Sequence, residues 1–130
     1  MKFEMLSVLT DRFDPMKRFY SEVLGFEIGP ELEKYVEFTG QGVRFALCER
    51  GVMAAAVSGE RFGRPAEGCP LTLAFRCATP ESLDSDYKRL VERGATAVRA
   101  PSAMPWGQYA AFFADPDGHV HELFTEMGGE

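Results

Sequence analysis

Few groups in this sequence stand out as able to do chemistry: the carboxylates of Glu122 and Glu4, the imidazoles of His119 and His121, the thiols of Cys48, Cys69 and Cys77, and one indole, Trp106. Glu122 lies in a β-prone run, 120–125. Alternation there sets Val120, Glu122 and Phe124 on one face and His121 and Leu123 on the other. A carboxylate sharing a face with apolar residues could bind a cation or an amine, or hold a proton. The plainer reading is a solvated group, or one paired with Arg44 or Arg76. Glu4 could join it in a two-carboxylate site that holds a metal weakly, or simply lie on the surface. His121 points away from Glu122. His119 follows the Asp115-Pro116-Asp117-Gly118 turn and is expected to hydrogen-bond it. Both histidines therefore read as structural. Trp106, between Pro105 and Gly107, offers a flat face for a planar ligand, or else packs its loop onto a sheet. Nothing near Cys48 lowers its pKa, so an inert buried thiol is expected. The three cysteines form no C-x-x-C pair, which speaks against a zinc knuckle or a disulfide framework and for a reduced, cytoplasmic setting.

The elements that must position these groups come in two copies of one plan. The first opens with a strand at 3–10, then Asp14-Pro15 as an N-cap and first helical residue. Met16, Phe19, Tyr20, Val23 and Leu24 follow with the spacing of one helical stripe, and Gly25 is placed to end the helix. Strands are expected at 26–29, 35–39 and 43–49, the last two joined through Gly40 and Gly42. The second copy opens with a strand at 71–78. Thr79-Pro80 is its cap, Leu83, Tyr87, Leu90 and Val91 its stripe, and Gly94 its stop. Strands follow at 96–100, 108–114 and 120–125. Module one thus covers about 1–50 and module two about 69–127 of a single 130-residue domain. The intervening 51–68 read as a linker with a short helix at 52–57.

The expected fold class is therefore α+β: two βαβββ modules forming a curved mixed sheet around a cup, with the helices on the outer face. Alternation gives a mixed small, polar and aromatic set for the cup, as a ligand cavity needs. That set is Glu4, Leu6, Arg44, Ala46, Cys48, Thr72, Ala74, Arg76, Glu122 and Phe124, with Trp106 on the rim.

Composition removes other classes. A chain that is 45% hydrophobic with eleven Phe can build a core. A formal charge of −6 and no Lys/Arg run disfavour nucleic acid or an anionic membrane as partner. The longest uncharged stretch, 100–114, is too short to span a bilayer and is broken by Pro101, Pro105 and Gly107. The N-terminus has no secretory h-region.

Phe19-Tyr20 followed by Val23-Leu24-Gly25-Phe26 resembles the helix signature of the vicinal oxygen chelate superfamily. Trp106-Gly107 followed by 113–123 (FADPDGHVHEL) resembles its C-terminal signature. The resemblance covers nearly the whole chain, including the internal repeat. The superfamily includes glyoxalase I, fosfomycin-modifying enzymes, extradiol dioxygenases, epimerases and bleomycin-resistance proteins, so fold alone names no activity. Metal-using members carry ligands at positions that fall on Glu4, Ala46, Thr72 and Glu122 here, two carboxylates and no imidazole. The resemblance then implies a glyoxalase/bleomycin-resistance-like protein that binds a small aromatic or cationic molecule in its cup without a catalytic metal. No cofactor is expected. A homodimer is, by analogy with relatives that pair modules across subunits. The competing readings are a lyase, isomerase or dioxygenase-like enzyme using Glu122 with a degenerate, weakly held divalent metal, and a domain whose surfaces serve only assembly.

Overall fold

The structure is a computed structural model that describes residues 1–127. The chain divides into two compact units, Met1–Glu67 and Gly68–Glu130. Each contains one four-stranded mixed sheet with helices, so the α+β class and the βαβββ repeat hold.

In the first unit β1 (Met5–Thr10), β2 (Glu27–Leu32), β3 (Tyr35–Thr39) and β4 (Arg44–Glu49) lie in the order β1-β4-β3-β2, with β1 and β4 parallel. The helix α1 starts at Phe13 (Phe13–Arg18), one residue before the expected Asp14 cap. Its entry is held by Thr10, whose hydroxyl accepts from the Arg12 N–H at 2.9 Å. Pro15 then falls in the first turn, where backbone N–H groups have no helical partner to lose. Past Arg18 the helix widens into a π-helical turn, Phe19–Val23. Gly25, at φ +78°, reverses the chain into β2. Tyr20 is fully buried and packs with Phe26, Phe38 and Phe45 at ring separations of 5.2–6.1 Å. These rings fix which side of the sheet faces α1. The expected linker folds as α2 (Arg50–Ala56) and α3 (Gly59–Phe62), the latter capped by the Ser58 hydroxyl. Arg50 ties α2 to β1 through the Leu9 carbonyl at 3.3 Å.

The second unit repeats the order with β5 (Ala74–Arg76), β6 (Thr96–Ala103), β7 (Gln108–Ala114) and β8 (Val120–Glu126) as β5-β8-β7-β6. β5 is shorter than the expected 71–78. The Leu73 N–H is taken by the buried His121 imidazole (Nδ1, 3.1 Å) rather than by backbone, which interrupts the ladder. β6 runs on to Ala103 through two irregularities and Pro101, tolerated because β6 is an edge strand. The helix α4 (Pro80–Glu92) carries the anticipated Thr79 cap as a reciprocal capping box with Ser82. It packs on β6, β7 and β8 through Leu83, Tyr87 and Leu90. Among the described residues no helix is long and apolar enough to cross a membrane.

Candidate functional site

Burial along β8 alternates. His121, Leu123 and Thr125 are buried on the α4 side, and Glu122 and Phe124 stand on the helix-free side. The register sets Glu122 between Ala74 of β5 and Phe112 of β7, and Phe124 between Arg76 and Ala110. One side of this sheet therefore collects Ala74, Arg76, Gln108, Ala110, Phe112, Glu122, Phe124 and Glu126.

Glu122 is the outlier in this set. Its Oε2 is buried and has no hydrogen-bond partner, the one such side-chain atom among the described residues. Burial pushes its carboxyl pKa above the ordinary value. Neither arginine considered as a partner bonds it. Arg76 lies with its guanidinium carbon 4.8 Å from the centre of the Phe124 ring and donates to Glu126 at 3.4 Å. Glu126 also accepts from the Gln108 amide at 2.9 Å, and Gln108 in turn accepts from the Trp106 indole N–H at 3.2 Å. Trp106 lies in the turn between β6 and β7 and is 61% exposed. Its polar edge is tethered to the helix-free row while most of its surface is open. It does not pack its loop down. Thr72 is exposed and precedes β5.

The histidines are used structurally. Asp115, 3% exposed, accepts from the Asp117 and His119 backbone N–H groups at 3.0 Å and meets His119 Nδ1 at 2.9 Å. His121 accepts through Nδ1, which leaves Nε2 to carry the proton toward Asp115 at 3.5 Å.

In the first unit the helix-free face carries a separate polar network. Glu37 of β3, 8% exposed, accepts from the Tyr35 phenol at 2.7 Å and from Arg44 Nη2 and Nε at 2.7 and 3.2 Å. These bonds, Arg44's first, hold the Glu37 carboxyl below its ordinary pKa. Burial and the Glu37 bond push Tyr35 up to about 12. Arg44 also reaches Glu4 at 3.5 Å. Cys48 shares this face and is buried, and that burial, with the nearby Glu49 charge, raises its pKa, as befits an inert thiol. The register pairs Met5, Ser7 and Leu9 with Arg44, Ala46 and Cys48. Leu6 therefore stands on the α1 side with the buried Val8 and Thr10, not on the helix-free face assigned to it from alternation. Alternation yields two sets of residues; the register with β4 decides which set faces the helix. Glu4 precedes β1 and reaches Arg44 from outside the ladder.

Tyr35, Glu37, Gln108, Phe112 and Glu126 were missed by the sequence reading. The signal was present in the alternation of β3 (Tyr35, Glu37, Thr39 against Val36, Phe38) and of β7 (Gln108, Ala110, Phe112 against Tyr109, Ala111, Phe113). A groove of about 490 Å³ lined by Tyr87, Val91, Ala97, Pro101 and Tyr109 opens on the other, α4 side of the second sheet. Its one phenol within reach of a carboxylate, Tyr109, is engaged by Asp84 at 2.7 Å.

The four positions at which the resemblance places metal ligands do not fit a metal. Glu4 is engaged by Arg44, Ala46 has no donor atom, and Thr72 offers only a neutral hydroxyl. Glu122 alone remains. Among the described residues no three His, Cys, Asp or Glu side chains converge.

The family model described as "Glyoxalase/Bleomycin resistance protein/Dioxygenase superfamily" matches residues 2–123. The fold is shared with a glyoxalase/bleomycin resistance protein/dioxygenase from Nocardioides (TM-score 0.89, 23% identity, covering 100% of this chain and 86% of that one). A family enzyme of the same description from Burkholderia phytofirmans PsJN is also similar (TM-score 0.85, 18% identity, 98% and 100% covered). So is a lactoylglutathione lyase from Agrobacterium tumefaciens (TM-score 0.75, 19% identity, 95% and 92% covered). No curated protein matches the chain.

Proposed function

Since the chain belongs to the glyoxalase/bleomycin resistance protein/dioxygenase superfamily, we propose that it binds a small molecule on the helix-free face of the second unit, with a cationic or N–H-donating group of the ligand on Glu122. The buried, unpartnered Oε2 of Glu122 carries this reading. A desolvated carboxylate with no donor is costly, and a bound ammonium supplies the missing partner. The exposed Trp106 gives such a ligand an aromatic face to stack on, and that face attracts cations. Binding needs no catalytic metal, and none is proposed. The chain is proposed to act as a homodimer.

One observation favours a second reading, an enzyme of the lyase or isomerase kind. A carboxyl whose pKa is raised toward neutrality is a better general base than an ordinary one. In that case Glu122 takes a proton from the bound ligand instead of only accepting a hydrogen bond.

Fluorescence of Trp106, the sole tryptophan, tests the binding reading. Planar amines should quench it saturably. Glu122→Gln should weaken amines and leave neutral analogues unchanged. Trp106→Ala, followed by calorimetry, should cost about 1–3 kcal/mol of binding. Amines that bind equally well to Glu122→Gln would contradict the reading.

A further inference from the structure

Glu122 is one end of a longer arrangement. On β5, Arg76 stands two residues beyond Ala74, the residue paired with Glu122. Strand spacing puts the Arg76 and Glu122 Cα atoms roughly 8 Å apart on one face. Phe124, next to Glu122 along that face, lies under the guanidinium. Ala74 and Ala110 flank Glu122 and Phe124 and project only methyl groups. The face therefore runs from a buried acceptor, over an aromatic ring between two small residues, to an exposed guanidinium.

Among the described residues Arg76 has one ion pair, with Glu126 at 3.4 Å, and both side chains are more than half exposed. Glu126 Oε2 also takes the shorter bond from Gln108 at 2.9 Å. With the guanidinium carbon over the Phe124 ring, the N–H groups turned away from Glu126 can take an incoming acceptor.

Building on the reading that Glu122 receives a ligand's positive group, we infer that the ligand is a small zwitterion. Its amine lies on Glu122, its carboxylate on Arg76 and its apolar body beside Phe124, against the small side chains of Ala74 and Ala110. That face of the β5–β8 sheet offers an acceptor in Glu122 and a donor in Arg76, with Glu126 beyond Arg76, and a ligand carrying both signs meets the two, whereas a simple anion meets only Arg76. The carboxylate takes the N–H groups of Arg76 turned away from Glu126, and the amine relieves the desolvation of Glu122.

Three probes separate the contributions: phenylalanine carries both charged groups, 2-phenylethylamine only the amine, and 3-phenylpropionate only the carboxylate. Isothermal titration calorimetry on the intact chain should show phenylalanine binding at least about tenfold tighter than 2-phenylethylamine, and 3-phenylpropionate weakest. Arg76→Gln should erase the advantage of phenylalanine over 2-phenylethylamine, whose own binding does not weaken. Arg76→Lys should restore part of it. Circular dichroism confirms that each variant is folded, as expected for so exposed a position. If 2-phenylethylamine binds as well as phenylalanine, or if Arg76→Gln leaves their ratio intact, the zwitterion assignment is wrong while the Glu122 reading stands. If none of the three binds, both fail.

Discussion

Glu122 sits between Ala74 and Phe112 with one carboxyl oxygen buried and unbonded, and that has a consequence for stability before any ligand is added. Burial raises its pKa in the folded chain, whereas the unfolded chain restores the ordinary value. Between the two values the folded state holds the extra proton. Stability therefore falls as pH rises from the ordinary carboxylate range through the raised value, and the penalty is complete above it. Glutamine cannot ionise, so Glu122→Gln escapes this term. In urea unfolding, the stability of Glu122→Gln relative to wild type should rise as pH is raised from about 4 to about 7.5. A difference that does not change with pH would mean that Glu122 is effectively solvated. Glu37 is the contrasting carboxylate. Arg44 and Tyr35 satisfy it, and its pKa moves down, so its contribution is present above the ordinary carboxylate range and fades as acid protonates it. Two glutamates on the helix-free faces of the two sheets thus have opposite environments, and only one is left wanting a donor.

β5 and β8 depend on a side chain that the sequence alone suggests is merely structural. His121 is fully buried, takes the Leu73 N–H and faces Asp115. His121→Phe keeps the ring but leaves the Leu73 N–H without an acceptor. It should lower unfolding free energy by about 1–3 kcal/mol without altering the sheet order, measured by chemical denaturation. A loss below a few tenths of a kcal/mol would show that water replaces the imidazole. Much of the element plan was legible because punctuation and periodicity agree: Thr79-Pro80 caps α4, Gly25 turns the chain at positive φ, and the stripe of Leu83, Tyr87 and Leu90 is the buried one. The alternation of β8 likewise put Glu122 and Phe124 together on the face opposite His121. What was not legible depends on partners distant in sequence. Leu6 changes sides because β1 pairs with β4 nearly forty residues later. The π-helical turn has no residue-type signature apart from the rings it seats. Arg44's bond to Glu37 needs the β3–β4 register, and Trp106's tether to Gln108 needs the actual path of the turn.

At the scale of the whole molecule, each unit carries a four-stranded sheet whose edge strands are β1 and β2 in the first and β5 and β6 in the second. Exposed apolar side chains accompany them, among them Phe3 ahead of β1, Leu32 on β2 and Val98 on β6. Edge strands and exposed apolar side chains favour association of like chains. Light scattering in dilute buffer should therefore return twice the 14.5 kDa chain mass, and a monomer at micromolar concentration would refute the homodimer. The proposed site is drawn from one sheet face, so its binding properties and the oligomeric state can be tested independently. Its central claim is that Glu122 is a desolvated acceptor that a ligand's amine satisfies. The most direct test follows the Glu122 side-chain carboxyl carbon by NMR through a pH titration, first in the free chain and then with saturating 2-phenylethylamine. The expected result is a Glu122 midpoint above that of ordinary carboxylates in the free chain, moved down by the bound amine. A Glu122 midpoint in the ordinary range, unmoved by the amine, would contradict it.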